Sequence, residues 1–217
     1  MNKSLYSLML MDDVVAEIDK LAHKAGTNRS NMINQILADY VSISTPEQQI
    51  DSIFRSMEQL LRDTSELIPF VTPNQLSMQM KSSLQYKYRP TVKYSVQLYR
   101  EPDTAIGELT VNFRTQSTSL LAAMARFFVF WKRLEDNYIS AYYEPDALRY
   151  ELSDSRFVRT IALPRGKNYK DEDLGKAISS YVTMFDEMMK GFLVGKYTER
   201  ELERRYVAYL NKGIGLI

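Results

Sequence analysis

Asn28-Arg29-Ser30 is the triplet in this chain whose residue types and spacing carry the clearest chemistry. Asn28 is a helix-capping residue, and a helix start presents free amides and a positive dipole end that suit a phosphate. Catalytic residue types are scarce by contrast. His23 is the only histidine, and there is no cysteine. Disulfides, thiolate catalysis, Cys-ligated zinc and a histidine-rich metal site within one chain are therefore excluded. A Ser-His-Asp triad would need His23, and nothing near it forms a nucleophile elbow. Walker and G-x-G-x-x-G loops are missing. Carboxylates cluster at loops and helix starts: Glu101, Asp103, Glu135, Asp136, Glu144, Asp146, Asp171, Glu172 and Asp173. The last three complement a helix N-terminus. The expectation is a protein that is not an enzyme, with no catalytic residue, metal or cofactor.

Two acid-free stretches carry the remaining cations. Leu67–Arg100 holds Lys81, Lys87, Arg89, Lys93 and Arg100 beside Tyr86, Tyr88, Tyr94 and Tyr99. Ser155–Lys170 holds Arg156, Arg159, Arg165, Lys167 and Lys170. Basic and aromatic side chains on a sheet can track a nucleic-acid backbone. The plainer reading is a solvated sheet face with half-buried tyrosines. If the two stretches share a sheet, Lys87, Arg89, Lys93, Arg156 and Arg159 form a surface for an acidic ligand, partner or second DNA segment.

The elements that position the triplet lie in the first 43 residues. Leu5–Met11 alternates like a short strand. Asp12–Lys24 reads as a helix with acids in its first turn, Gly26 as its left-handed stop, and Asn28–Val41 as a second helix. One strand and two short helices cannot close a core alone, and a lone strand leaves an open edge. Two copies pairing antiparallel solve both problems.

This order resembles the ribbon-helix-helix family of bacterial DNA-binding proteins, the group of Arc, MetJ and CopG, over residues 3–43. The resemblance implies a two-stranded ribbon in the major groove of DNA. Lys3, Leu5, Ser7 and Met9 would face the bases, and Asn28, Arg29 and Ser30 a phosphate. Tyr6, Leu8, Leu10, Ile18, Leu21, Ile33, Ile36 and Leu37 would form the dimer core. The reading face departs from the family pattern. Only Lys3 and Ser7 can offer hydrogen bonds to base edges, while Leu5 and Met9 offer apolar contact. Residues 1–44 carry a net charge of −1, counting Lys3, Lys20, Lys24 and Arg29 against Asp12, Asp13, Glu17, Asp19 and Asp39. A DNA reader is ordinarily basic on its contact face.

The rest of the chain has material for one larger domain, since 45% of the 217 residues are hydrophobic. The net charge of +1 directs it to neither nucleic acid nor membrane. Leu120–Trp131 is the longest apolar run, too short for a bilayer. The start Met-Asn-Lys-Ser does not read as a secretion signal. Together with the missing cysteines, this leads to an expectation of cytoplasmic localisation.

After the connector Ser42–Ser44, Thr45, Pro46 and Gln48 open a helix with the stripe Ile50, Ile53, Phe54, Met57, Leu60 and Leu61. Pro69 and Pro73 mark a loop. Strands are expected at Ser82–Arg89, Thr91–Arg100, Gly107–Arg114, Ala147–Ser153 and Arg156–Leu163. A buried helix is expected from Ser117 or Thr118 to about Asn137. Leu174, Ile178, Tyr181, Phe185, Met188 and Phe192 form a heptad-like seam, and Thr198 with Glu201 caps a last helix. This second domain is similar, in topology only, to small α+β domains of type III secretion chaperones and some ligand-sensing modules.

The expected fold class is therefore α+β. A β-α-α ribbon-helix-helix module over 1–43 precedes an α-β-β-β-α-β-β-α-α domain with an antiparallel sheet over 44–217. The expected function is a homodimeric regulator that binds double-stranded DNA, of repressor, antitoxin or plasmid-maintenance type, with a C-terminal domain for a ligand or partner. The alternative is an assembly or chaperone-like protein that uses the module only to dimerise.

Overall fold

The computed structural model describes residues 4–62, 67–71, 76–85, 90–213 and 216–217. The chain divides into two compact units, Met1–Gln49 and Ile50–Ile217. The expected boundary at residue 43 falls inside the first unit. The next helix starts at Pro46, but the apolar stripe that joins the larger core starts at Ile50.

In the first unit, residues 4–11 carry neither helix nor strand. The expected strand over Leu5–Met11 does not form in the single chain, because a strand needs a partner edge and no strand among the described residues supplies one. Helix α1 spans Asp12–Lys24 and α2 spans Arg29–Tyr40. Between them Gly26 takes φ 63°, while the Thr27 amide donates to the Ala22 carbonyl at 2.9 Å. That bond across the helix end needs a left-handed residue, which glycine supplies without a Cβ clash. The same device closes α2, where Ile43 N–H donates to Ala38 O at 2.9 Å, but there the left-handed residue is Ser42 at φ 56°. The core of this unit is small: Ile18, Ala22 and Met32, with Ala25 and Ile33 packed against them.

Helix α3 spans Pro46–Arg62. The Gln48 amide donates to Thr45 Oγ1 at 3.2 Å, and Thr45 N–H donates to Gln48 Oε1 at 2.8 Å. This reciprocal cap is the one its sequence encodes. Ile50, Ile53, Phe54, Met57 and Leu61 are buried, whereas Leu60 is exposed, contrary to its place in the expected stripe.

The second unit is built on a six-stranded antiparallel sheet in the order β1-β2-β3-β4-β6-β5. Its strands are β1 Ile68–Val71, β2 Ser77–Ser83, β3 Thr91–Leu98, β4 Gly107–Phe113, β5 Tyr150–Leu152 and β6 Arg156–Ile161. Three expectations need correction. Four strands, not three, follow α3 before the next helix, because residues 68–71 add β1 to the sheet edge. Pro69 lies in a strand and not a loop; β1 is an edge, where a missing backbone donor is tolerated. The strand expected at Ser82–Arg89 lies earlier, because Met78, Met80 and Ser82 are the inward positions that alternate; Tyr86–Arg89 lie outside the described residues.

Register fixes which side chains share a face. Met78, Val96, Leu109, Arg159 and Tyr150 form one inner row across five strands; Met80, Tyr94, Val111, Phe157 and Leu152 form the next. Helices α4 Thr118–Tyr138, α5 Asp171–Leu193 and α6 Glu199–Leu210 supply the other side of this core. Phe185 lies at its centre, with ring centroids 4.9 Å from Trp131, 5.2 Å from Phe157 and 5.4 Å from Phe127. Among the described residues, no helix is long and apolar enough to cross a membrane.

Candidate nucleic-acid interface

The start of α2 is built as its sequence requires. Asn28 is extended, at φ −97° and ψ 164°, and its side chain accepts the Asn31 amide at 2.9 Å. Ser30 is exposed beside it. Arg29 is not free. Its Nε and Nη2 reach both carboxylate oxygens of Asp19, at 2.7 and 2.5 Å, and tie α2 back to α1. Hydrogen bonding to Arg29 holds the Asp19 carboxyl below its ordinary range, and the same bond raises the Arg29 guanidinium. Both side chains are about half exposed, so a phosphate can compete for Arg29 without entering a closed site.

The positions expected to face bases are open. Leu5 and Met9 are fully exposed, and Ser7 is exposed; Lys3 lies outside the described residues. Of the expected dimer core, Ile18 is buried and Ile33 packs beside it. Tyr6, Leu8, Leu10, Leu21, Ile36 and Leu37 are exposed, so within one chain they do not pack against the helices as expected. The reason is geometric: the three-residue core closes the α1–α2 hairpin only, and these six residues find no cover in it. Met32, which is not in the expected dimer core, is buried in this hairpin core. Its signal is position: it falls in the first turn after the Asn28 cap and packs with Ile18 and Ala22 of α1.

On the larger unit, the expected cationic surface is only partly assembled. Lys93 and Arg156 share one outer-face row, as the pairs Lys93↔Asn112 and Asn112↔Arg156 show. Lys87 and Arg89 lie outside the described residues. Arg159 does not belong to this surface. It is fully buried on the inner face, in line with Phe157 and Ile161. Its Nε donates to Glu135 Oε2 at 3.0 Å, its Nη1 to the Thr160 carbonyl at 3.2 Å and its Nη2 to the Ile217 carbonyl at 2.5 Å. Tyr181 OH donates to Glu135 Oε1 at 2.9 Å and accepts Trp131 Nε1 at 2.9 Å. Burial opposes the Arg159 charge, but the buried Glu135 beside it holds the guanidinium protonated. This network saturates the pair inside the core and leaves it nothing to offer a ligand.

A second interior carboxylate, Asp186, accepts Tyr94 OH at 2.7 Å and Ser82 Oγ at 3.0 Å, with Lys190 at 2.7 Å. Burial, then the nearby Asp186 charge, pushes Tyr94 well above the usual phenol range. It too is a satisfied cluster that links α5 to the sheet. Among the described residues, no group of histidine, aspartate and glutamate side chains could hold a metal ion.

Two outer-face cations lie outside the five-residue surface expected from sequence. Lys81 stands directly opposite Lys93, and Arg114 follows the last residue of β4 with the outward parity of Asn112. Arg114 is legible in the alternation of β4, whereas Lys81 was hidden by placing β2 too late in the chain. No family model, curated protein or solved structure matches this chain.

Proposed function

We propose that the chain is a homodimeric DNA-binding regulator whose first unit pairs with a second copy through residues 5–11. The observation that carries this reading is the first unit's open apolar set. Leu5, Tyr6, Leu8, Leu10, Leu21, Ile36 and Leu37 are exposed on a unit whose own core cluster holds three buried residues. So many exposed apolar side chains on so small a unit mark an interaction surface. A second copy supplies the missing strand edge and the missing cover together. The capped start of α2 supports the DNA half of the reading, because it presents amides, Ser30 and Arg29 toward an anion. The larger unit then serves as the ligand- or partner-binding domain of a repressor, antitoxin or plasmid-maintenance protein.

One observation favours the alternative, an assembly protein that uses the same module only to dimerise. Asp19 already occupies Arg29, and the outward positions Leu5 and Met9 carry no hydrogen-bonding group.

Binding of the full chain to genomic fragments that include its own promoter, measured against salt, separates the two. Arg29→Ala should weaken binding to all sequences and flatten the salt slope by about 0.9 for each phosphate that is no longer neutralised. Asp19→Asn breaks the same ion pair but removes a negative charge, so it should tighten binding. Ser7→Ala should change preference among sequences. A chain that retains no DNA at low salt ends the regulator reading. Equal weakening by Arg29→Ala and Asp19→Asn would reduce Arg29 to a structural tie.

A further inference from the structure

We infer that the outer face of the sheet carries a second DNA-backbone site, formed by Lys81, Lys93, Arg114 and Arg156 at one end of β2, β3, β4 and β6. The inference rests on the proposed DNA-binding function for its partner, but on different residues in the other unit.

The register places Lys81, Lys93, Asn112 and Arg156 in one row across four adjacent strands. Strands lie about 4.8 Å apart, so the row is about 14 Å long. Arg114 extends the patch by one outward position along β4. Lys93, Asn112, Arg114 and Arg156 are exposed, as is Lys81. Among the described residues, no carboxylate pairs with Lys81, Lys93 or Arg114. Lys81 instead lies over the Phe70 ring at 4.3 Å, and Arg156 has only the exposed Glu151, at 3.8 Å. Like charges directly across a strand pair destabilise a sheet. Lys81 opposite Lys93 is such a pair, and a polyanion lying across the row removes its cost.

The chemistry between the cations favours phosphate over protein. Ser83, Thr91, Ser95, Asn112 and Gln79 are short donors on the same face, of the types that contact phosphate oxygens. A protein partner ordinarily anchors on buried aromatic or aliphatic side chains in a pocket. The described centre of this face, Gln79, Ser95 and Thr110, is polar; Phe70 at one end of that row lies under Lys81, Val158 at the other is buried, and the exposed Ile68 stands at the sheet edge beside Lys81 and not in a pocket at the centre. Past the end of the sheet, Lys81 and Arg114 also line a cleft of about 1920 Å³ together with Lys196 and Glu187; Lys190 lines it too, but its charge is met by the buried Asp186 at 2.7 Å. Along the axis of a duplex each strand carries one phosphate per about 3.4 Å, so a row about 14 Å long meets several.

The test uses the full chain and a short fluorescent duplex between about 50 and 200 mM salt. The variant is Lys81→Gln/Lys93→Gln/Arg114→Gln, compared with Arg29→Ala. These positions are exposed and the substitution relieves a repulsion, so the melting temperature should hold or rise. The expected result is a salt slope flatter by about 2 to 3 for each copy bound, additive with the effect of Arg29→Ala. If the triple variant binds like the original chain while Arg29→Ala weakens binding, the sheet site is overturned and the first-unit reading stands. If the original chain binds no duplex but retains poly-glutamate through these three cations, the site takes an acidic protein and the DNA assignment is overturned. Retention of neither overturns both the sheet site and the DNA-binding function.

Discussion

Arg159 shows how far a single residue's type can mislead when its register is ignored. It sits in an acid-free stretch rich in cations, which marks it as a surface residue by composition. Its parity says otherwise: it falls in phase with Phe157 and Ile161, both buried. Glu135 was equally readable, four residues beyond Trp131 and eight beyond Phe127 on the same stripe of α4. What the sequence could not supply is that the two meet, since that depends on how α4 lies over β6. The pair is closed by Tyr181, and the Ile217 carbonyl accepts from both Arg159 and Tyr143 OH, the latter at 2.8 Å. A fully buried ion pair contributes little net stability, yet breaking it strands a charge. Glu135→Ala or Arg159→Ala should each therefore cost about 3 to 5 kcal/mol in urea unfolding. Glu135→Leu with Arg159→Met should cost less than either single truncation, because no charge is left behind. A double variant as unstable as the sum of the singles would remove the pairing argument.

At the scale of elements, most helices were legible because their ends are written in side chains. Thr45 with Gln48 opens α3, Ser117 opens α4, and Thr198 with Glu201 opens α6 through a reciprocal cap. Strands carry no such end marks, so β2 was misplaced and β1 missed. Their extent is set by neighbours in the sheet, which local sequence does not encode. Ser42 is the element-scale exception worth testing. It occupies the left-handed position at the end of α2 that Gly26 fills after α1. A side chain there crowds the following carbonyl by roughly 1 to 2 kcal/mol, partly offset by the larger unfolded-state entropy of glycine. Ser42→Gly should stabilise the first unit by about 0.5 to 1 kcal/mol. Hydrogen exchange of the α2 amides should read this as increased protection, and unchanged or faster exchange would show that the helix end relaxes by another route.

At the scale of the whole molecule, the two units are finished to different degrees. The larger one closes a continuous core around Phe127, Trp131, Phe157 and Phe185. The smaller one holds its two helices by Ile18, Ala22 and Met32 and by the Arg29–Asp19 tie, and residues 4–11 pair with no strand among the described residues. Sequence alone could place the apolar positions of that unit but not the surface that covers them, because nothing described within the unit supplies the cover. This contrast makes one substitution unusually clean. Leu8 is 61% exposed and lies outside the buried core cluster of its unit, so Leu8→Pro removes little packing within one copy. In a paired ribbon the same change deletes a ladder donor and a buried side chain from each of two strands. Sedimentation of the original chain should then give twice the 25.2 kDa chain mass, and the Leu8→Pro variant should sediment as a monomer. The near-ultraviolet circular dichroism of the larger unit's aromatic cluster should be unchanged in that monomer, since none of its rings lies in the first unit. A stable dimer in the variant would rule out pairing through residues 5–11. A monomeric original chain at micromolar concentration would leave its exposed apolar residues to a partner other than a second copy.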